Sequence, residues 1–493
     1  MGQATEQTGF TEDDFVRFRD RLGSNLKSLE MLLQSPDFGV GPTSFGAELE
    51  LYIVDANGRP LAINKEIQQT LGDKQLTLEL NRFNLEYNFT PVLVRDHCFA
   101  KTEEQALSAL ARINACAEKW QGSVFPIGIL PTLRAGDLGL SVMTDEPRYH
   151  ALTDELRRIR GGPFRIDIHG EDRIDLEMED VTLEGANTSF QVHLKVRPDE
   201  FADLYNAIQL VTPLVMAISA NSPLLFGQRL WHETRVPLFK QSIDCRRPDP
   251  LQPRPARVNY GNAWVRRGAH ELFAEAVRLY RPILPVCDEE DPFLAMTAGR
   301  APQLSELRLQ MGTVWLWNRP VYDPADGGHL RIEMRTLPAG PSIKDMMANA
   351  ALMIGLARLL QSSMQDLMPS IPFDYCVRNF YRAAEKGLAA RLIWPSTSQS
   401  EPEYHSASSI LARLLPMLPR QLAEMGFIES DFMPLLDVIR ERLDSRQTGA
   451  QWQLDQFAML RKSLAPEEAL LAMQRAYQCH SLKNVPVAQW PLS

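Results

Sequence analysis

The chain of 493 residues is long enough for one large domain or for about two to three ordinary ones. Its 44% hydrophobic and 23% charged residues are typical of a globular protein and exclude a disordered or fibrous one. The net charge of −10 argues against general binding to the nucleic-acid backbone, so we predict no nucleic-acid partner.

The sequence shows no signal for export or for membrane insertion. Residues 1–9 lack the basic stretch and apolar core of a secretory signal. The most apolar run, residues 210–225, contains Pro213, Asn221 and Pro223 and is too short for a membrane span, so we predict a buried helix there. The six cysteines form no CxxC pair, which argues against a zinc site or a disulfide framework. We therefore expect a cytoplasmic protein without a membrane partner.

The first predicted elements are a helix over residues 11–35 and a strand over residues 44–55. Apolar residues recur at helical spacing in the first segment, which is typical of a packing helix. In the strand, Glu48 and Glu50 lie two residues apart and therefore on one face, with apolar residues on the other. Neighbouring like charges on a strand repel each other unless a cation neutralises them. The strand therefore indicates a cation site.

A second acidic strand is predicted over residues 78–91, and it adds Glu79 and Glu86. Because the two acids are seven positions apart, strict alternation places them on opposite faces. We therefore expect a bulge or a bend between Asn81 and Asn84, which would bring both acids to the same side.

Three segments follow whose interpretation stays open. The acidic stretch 171–184 is either a solvated edge of the fold or a mobile flap over a site. The strand predicted over residues 187–196 places Gln191 and His193 on one face, where both are possible ligands, although a buried histidine can also be structural. The Pro- and Arg-rich segment 244–257 is predicted to be a loop, either over the site or across the surface.

The segment 329–340 combines charge with strand periodicity. Arg331, Glu333 and Arg335 alternate with apolar residues, which predicts a strand with one polar face. Carboxylates bind hard cations and guanidinium groups clamp phosphoryl oxygens, so this face suits a site for metal and phosphate. A surface strand with a ladder of salt bridges would give the same pattern.

The remainder of the chain is predicted to be helical, with stripes of Leu, Met and Ala. The predicted helices cover residues 346–367, 375–392, 410–425, 431–443, 451–464 and 466–477. We therefore predict an α+β fold with a catalytic region over residues 1–345 and a helical region over residues 346–493 packed against it.

The motifs of these strands, taken in their order along the chain, resemble those of the glutamate–cysteine ligases and their carboxylate–amine ligase relatives in the glutamine synthetase superfamily. The resemblance covers roughly residues 40–345. The motifs that carry it are Glu48-Leu-Glu50, Leu85-Glu-Tyr-Asn-Phe-Thr-Pro91, Gln191-Val-His193, Ala220-Asn-Ser-Pro223, Thr313-Val-Trp-Leu-Trp-Asn-Arg319 and Glu333-Met-Arg335.

The resemblance implies a fold and an activity. The fold would be a curved, mainly antiparallel sheet that forms a funnel and is covered by helices. The activity would be ATP-dependent formation of a γ-glutamyl amide through an acyl phosphate, with ATP and Mg²⁺ as cofactors. No Walker-type loop or GxGxxG element competes for the nucleotide.

The resemblance also implies roles for individual residues. The metal ligands would be Glu48, Glu50, Glu79, Glu86, Gln191 and Glu333. Arg335 would stabilise the transferred phosphoryl group, and Arg235 would hold the carboxylate of the acid substrate. The nucleotide would be contacted by His193, Arg319 and Arg331.

The sequence does not determine the amine substrate. The resemblance favours glutamate and cysteine as the small-molecule substrates, but relatives that use another amine or acid share the same metal residues. A descendant that binds nucleotide or metabolite without catalysis is the alternative from another functional class. The sequence makes no prediction of the oligomeric state.

Overall fold

The computed structural model describes residues 9–247, 254–395 and 402–492. The helices in these ranges are α1 Glu12–Leu33, α2 Asn64–Leu71, α3 Cys98–Ala117, α4 Pro147–Arg160, α5 Phe201–Ser219, α6 Arg235–Ser242, α7 Ala269–Leu279, α8 Pro292–Thr297, α9 Ser305–Gly312, α10 Ile343–Gln361, α11 Met364–Leu367, α12 Phe373–Lys386, α13 Ala407–Leu414, α14 Leu418–Glu424, α15 Glu429–Ser445, α16 Gly449–Leu460 and α17 Pro466–Leu482. The strands are β1 Ser44–Val54, β2 Leu76–Leu78, β3 Asn84–Asn88, β4 Val92–Leu93, β5 Ser123–Phe125, β6 Phe164–His169, β7 Arg173–Met178, β8 Phe190–Val196, β9 Leu224–Leu225, β10 Gln228–Arg229, β11 Val258–Asn259, β12 Trp315–Leu316, β13 Asn318–Asp323, β14 His329–Met334, β15 Arg391–Trp394 and β16 Glu403–Ser406.

The main sheet brings together strands from distant parts of the sequence. It has eight strands in the order β13-β14-β8-β1-β3-β2, and β4 and β5 both pair with β1. Every pairing in this sheet is antiparallel, and the sheet curls into a half-barrel. The predicted fold class, α+β with a curved antiparallel sheet covered by helices, is confirmed.

The apolar side of the sheet and the central helices form the core. Leu49, Leu194 and Ile332 alternate with the charged residues of their strands, are at most 2% exposed, and belong to the same hydrophobic cluster as α5 and α10. By length and composition α5 could cross a membrane, but 89% of its most apolar window is buried inside the fold. The helix predicted in the run 210–225 is therefore confirmed as far as Ser219, where α5, the central helix of the core, ends, and it is wrong at Leu224–Leu225, which form β9.

The C-terminal region departs from its prediction at three places. The helix predicted over residues 346–367 is divided at Ser362 and Ser363 into α10 and α11. The helix predicted over residues 375–392 is wrong at its end, because Gly387 adopts a left-handed conformation with φ 52° and the chain continues as β15, paired with β16. The helix predicted over residues 410–425 is divided into α13 and α14 by a short 3₁₀ segment. The 3₁₀ segment and α14 each have a proline in their first turn. The division of the chain at residue 345 stays a prediction.

The structure describes all of segment 171–184 and part of segment 244–257, whose interpretation the sequence left open. The acidic stretch 171–184 contains β7, which pairs with β6 in a hairpin, and Asp172 in its turn accepts hydrogen bonds from Arg229 at 2.9 and 3.0 Å. This part is a solvated two-stranded hairpin, and the interpretation of the stretch as a flap stays a prediction. Of the loop predicted over residues 244–257, residues 248–253 lie outside the described part of the chain.

Candidate active site

The polar face of the sheet gathers side chains from five strands. Antiparallel register places Glu333 of β14 between Arg319 of β13 and His193 of β8. The other opposed pairs on this face are Gln191 with Glu48, and Glu50 with Glu86. Directly opposed residues on a sheet have their Cβ atoms about 5 Å apart. The register therefore converts five separate sequence motifs into one cluster.

A cavity of about 540 Å³ opens on this face, which is a volume in the range of small-molecule sites. Its acidic lining consists of Glu48, Glu50, Glu79, Glu86, Glu146 and Glu184. Its arginines are Arg148, Arg308, Arg319 and Arg335, and part of its apolar wall is formed by Leu152, Leu156 and Trp315. Glu333 and His193 lie behind this lining, in contact with Arg319, Arg335 and Glu48.

Glu48, His193 and Glu333 form the tightest group of possible metal ligands. Their ligand atoms all lie within 4.8 Å of one another. The His193 Nε2 atom is 3.3 Å from Glu48 Oε1, yet neither imidazole nitrogen forms a hydrogen bond within the described chain, although both are buried. Burial opposes ionisation of Glu48, but the neighbouring imidazole outweighs it and lowers the pKa of this carboxyl to about 2. A buried ring nitrogen without a hydrogen bond fits a metal ligand.

Glu333 is held ionised by two arginines. Arg319 Nε and Nη2 donate to its two carboxylate oxygens at 2.6 and 3.0 Å, and Arg335 Nη1 donates to Oε1 at 2.5 Å. Glu333 is fully buried, which opposes ionisation, but Arg319 and Arg335 keep the pKa of its carboxyl well below the usual range. The predicted strand of alternating arginine and glutamate is therefore an ion-pair network at the base of the cavity.

For the other four acids of the cluster, the neighbouring positive charges do not offset the effect of burial. Burial is the largest cause that raises the pKa of Glu50 to about 7, and the charge of Glu86 adds to it. Burial, followed by nearby carboxylates, raises the pKa of Glu79, Glu86 and Glu184 to about 8 in each case. Buried carboxylates that cannot all ionise together are a typical environment for a divalent cation.

Glu79 and Glu86 line the same cavity, but the backbone conformation that brings them together differs from the one predicted from the sequence. The single bent strand predicted over residues 78–91 is wrong, because the chain reverses between β2 and β3 and forms a hairpin with Thr77 opposite Glu86. Glu86 then accepts hydrogen bonds from Thr77 Oγ1 at 3.1 Å and from Asn88 Nδ2 at 2.8 Å. The reversal makes the number of intervening residues irrelevant to the face on which each acid lies.

The structure revises the role expected of Gln191. Its carbonyl oxygen accepts a hydrogen bond from Arg335 Nη1, and its Nε2 donates to Glu50 Oε1 at 2.9 Å. Both ends of the amide are therefore engaged, and the geometry does not support Gln191 as a metal ligand. His193, which we expected to contact nucleotide phosphate, takes the place beside the acids, because the register sets it opposite Glu333.

Two arginines predicted for the site lie outside it. Arg235 is 2% exposed at the start of α6, and it donates to Glu233 Oε1 and to the carbonyl of Thr336, each at 2.7 Å. It cannot hold a substrate carboxylate, because a buried acid already occupies its guanidinium. Arg331 lies one row beyond Glu333 and forms an ion pair with Asp323 at 3.1 Å, so it is not part of the cavity lining.

Four charged lining residues were not assigned to the site from the sequence: Glu146, Glu184, Arg148 and Arg308. Glu184 ends the acidic stretch and stands in a 3₁₀ turn just before β8, where it faces the charges of Glu50 and Arg335. Arg148 opens α4 and donates to the carbonyl of Leu78 at 3.1 Å, which positions it beside Glu79. The acidity of residues 171–184 is the one sequence feature that could have indicated Glu184 as a residue of the site.

Comparison with solved structures identifies the fold. The glutamate–cysteine ligase of Francisella tularensis, solved in complex with AMP, is 10% identical to this chain, with a TM-score of 0.50 and coverage of 90% of each chain. A bifunctional glutathione synthetase from Pasteurella multocida is 12% identical, with a TM-score of 0.45, over 92% of this chain and 54% of that one. Among curated protein sequences none matches this chain.

Comparison with models of protein families assigns the chain to a family. The family described as glutamate-cysteine ligase family 2 matches residues 44–470, a range that contains the whole polar face of the sheet. The match covers far more than half of the chain. The protein therefore belongs to glutamate-cysteine ligase family 2 and is an ATP-dependent ligase that joins a carboxylate to an amine.

Proposed function

We propose that this protein joins the γ-carboxylate of glutamate to the amine of cysteine, with ATP as the energy source and Mg²⁺ as the metal. The observation that carries the proposal is the arrangement of six buried or half-buried carboxylates, one imidazole and two arginines on or beside a single sheet face. The Francisella tularensis ligase of similar fold was solved with AMP, which supports nucleotide use here.

The residues of the site fit Mg²⁺ by their chemistry. Mg²⁺ prefers carboxylate oxygens, and the four acids with raised pKa values are oxygen donors whose burial is not offset by the neighbouring positive charges. Glu48, His193 and Glu333 would hold one ion, and the acids around Glu50 and Glu86 would hold another. Bound Mg²⁺ supplies the positive charge that offsets the repulsion between a carboxylate and the phosphates of ATP.

The arginines of the site have a separate task. In the proposed reaction a carboxylate oxygen of glutamate attacks the γ-phosphorus of ATP and ADP leaves, after which the amine displaces phosphate from the acyl phosphate. Arg335 is fixed by Gln191 and Glu333, and its Nη2 group donates to no atom of the described chain. It is therefore available to an oxygen of the transferred phosphoryl group, already oriented before the reaction begins.

The side chains of the active-site cavity do not identify the amine substrate as cysteine. The apolar lining of the cavity includes Leu152, Leu156 and Trp315, and none of these residues selects a thiol. A ligase of the same mechanism with another amine or acid uses the same machinery. A non-catalytic descendant would have little reason to retain Arg335 with the full set of acids.

The experiment that tests the function is phosphate release from Mg-ATP in the presence of glutamate, with each amino acid and simple amine in turn as the second substrate. Release stimulated by cysteine, with γ-glutamylcysteine identified as the product, is the expected result. Stimulation by a different amine would replace the substrate and keep the mechanism. Absence of release with every acid and amine tried would remove the catalytic proposal.

Replacement of Glu333 by Gln tests the centre of the site. The substitution removes the charge that pairs with Arg319 and Arg335 and one of the proposed metal ligands, so we expect kcat to fall by at least about two orders of magnitude. The matched control is Glu424→Gln, because Glu424 is an exposed acid that pairs with Arg420 at 2.8 Å. Circular dichroism should show both variants folded. Turnover near the wild-type value in Glu333→Gln would refute the site.

The raised pKa values predict how stability depends on pH. In the metal-free protein, Glu50, Glu79, Glu86 and Glu184 keep protons up to a pH of about 7 to 8, whereas the unfolded chain releases them near the ordinary value of 4.5. The free energy of unfolding should therefore fall as the pH rises from about 5 to about 8. Mg²⁺ should reverse much of this fall, because it binds the ionised acids of the folded state.

Urea unfolding at pH 5.5 and pH 8.5, with EDTA or with Mg²⁺, measures this effect. The variant Glu86→Gln removes one of the titrating groups and should show a smaller fall than the wild type does. A free energy of unfolding that is the same at both pH values and indifferent to Mg²⁺ would contradict the assignment of these acids.

A further inference from the structure

A second cavity, of about 640 Å³, lies at the C-terminal end of α4, a helix that also lines the active-site cavity. Leu152 and Leu156 of this helix line the first cavity, and Arg158 and Ile159 at its end line the second. The segment after α6 is shared in the same way, with Ile243 on the first cavity and Asp244 on the second. We call this second space the arginine cavity.

Positive charge dominates the arginine cavity. Seven arginines line it, and two of them have carboxylate partners: Arg158 with Glu155 at 2.5 Å, and Arg246 with Asp244 at 2.7 Å. The other five form no ion pair with a carboxylate of the described residues. They are Arg160, Arg247, Arg254, Arg257 and Arg281.

Three of these five guanidinium groups are fixed by main-chain carbonyls. Arg160 donates to Arg246 at 2.6 Å, Arg247 to Ile159 at 2.8 Å and Arg257 to Thr313 at 3.0 Å. Carbonyl oxygens orient a guanidinium without cancelling its charge. Arg257 is also 6% exposed, and burial lowers the pKa of its guanidinium. Such uncompensated charge is costly, and an anion in the cavity would offset the cost.

The other two guanidinium groups are available to a ligand. Arg254 and Arg281 are exposed. The Arg281 guanidinium lies 5.2 Å from the centre of the Phe15 ring, a contact that leaves its N–H groups free to donate to a ligand. They come from different segments of the chain that meet at the same cavity. A guanidinium binds phosphoryl oxygens through two parallel hydrogen bonds, which makes this group the preferred one for phosphate recognition.

We propose that the arginine cavity binds a small molecule that carries several phosphoryl groups, at a site separate from the active site. One phosphate monoester carries a charge of about −1.5 to −2, which is less than the charge of five unpaired arginines. The cavity volume is also in the range of sites for whole metabolites rather than for a single inorganic ion. The ligand is therefore a polyphosphorylated compound.

The charges of the two cavities allow them to be distinguished. Without a divalent cation, the acidic residues of the active-site cavity repel a polyanion, whereas the arginine cavity has Asp244 as the one acidic residue in its described lining. Binding to the arginine cavity should therefore need no Mg²⁺. Inorganic tripolyphosphate in the presence of EDTA is accordingly a probe of this site.

Isothermal titration calorimetry of the full chain with tripolyphosphate in EDTA tests the proposal. We expect one binding site per chain, and we expect the double variant R254Q/R281Q to bind at least about tenfold more weakly, because two charge-assisted contacts are lost. The matched control is R378Q/R420Q, which removes the same charge from two exposed arginines on α12 and α14 that pair with Asp374 and Glu424. This control should bind as the wild type does.

Three results would overturn the proposal. The first is no binding by the wild-type chain. The second is undiminished binding by R254Q/R281Q, which would place the anion elsewhere. The third is an equal loss of affinity in the control variant, which would mean that general charge rather than this cavity attracts the anion. Equal unfolding temperatures of the variants and the wild type establish that the comparison is made between folded proteins.

Discussion

The repulsion between buried carboxylates is the constraint on which the site depends. Four glutamates, Glu48, Glu50, Glu86 and Glu333, lie on one face of a sheet whose opposite face is packed into the core, so they cannot move apart without breaking strand pairing. Glu79 and Glu184 lie beside them on the same cavity. The fold relieves this repulsion in two ways. Glu48 and Glu333 are compensated by His193 and by two arginines, and the remaining acids have raised pKa values and retain protons. A cation is the natural replacement for those protons.

The rigid sheet and the buried helices hold the acids and arginines of the site in fixed orientations. The strands that carry the acids are paired to one another throughout, and the helices behind them are among the most deeply buried elements of the chain. Groups that are oriented before a substrate arrives lose little energy to reorganisation during the reaction. The ion pair between Arg235 and Glu233 belongs to this support, since Arg235 also holds the carbonyl of Thr336, the residue that follows Arg335.

Sequence periodicity predicted those parts of the site that lie within single strands. Glu48 and Glu50 share a face, as do Glu333 and Arg335, and the class of fold follows from strands with one polar side. The failures came from contacts that no local pattern encodes. The hairpin that aligns Glu79 with Glu86, the acid that pairs with Arg235 and the hydrogen bonds that engage Gln191 all depend on which segments meet in space. Glu184 reaches the cavity from a turn outside any strand, where alternation gives no information.

The central claim is that Glu48, His193 and Glu333 together hold a divalent metal ion. Anomalous diffraction from crystals of the protein grown with Mn²⁺, as a substitute for Mg²⁺, and a non-hydrolysable ATP analogue tests this claim most directly. The account predicts an anomalous peak at coordination distance from all three side chains, with a further peak among the acids around Glu50 and Glu86. Ordered side chains at these positions without an anomalous peak between them would contradict it.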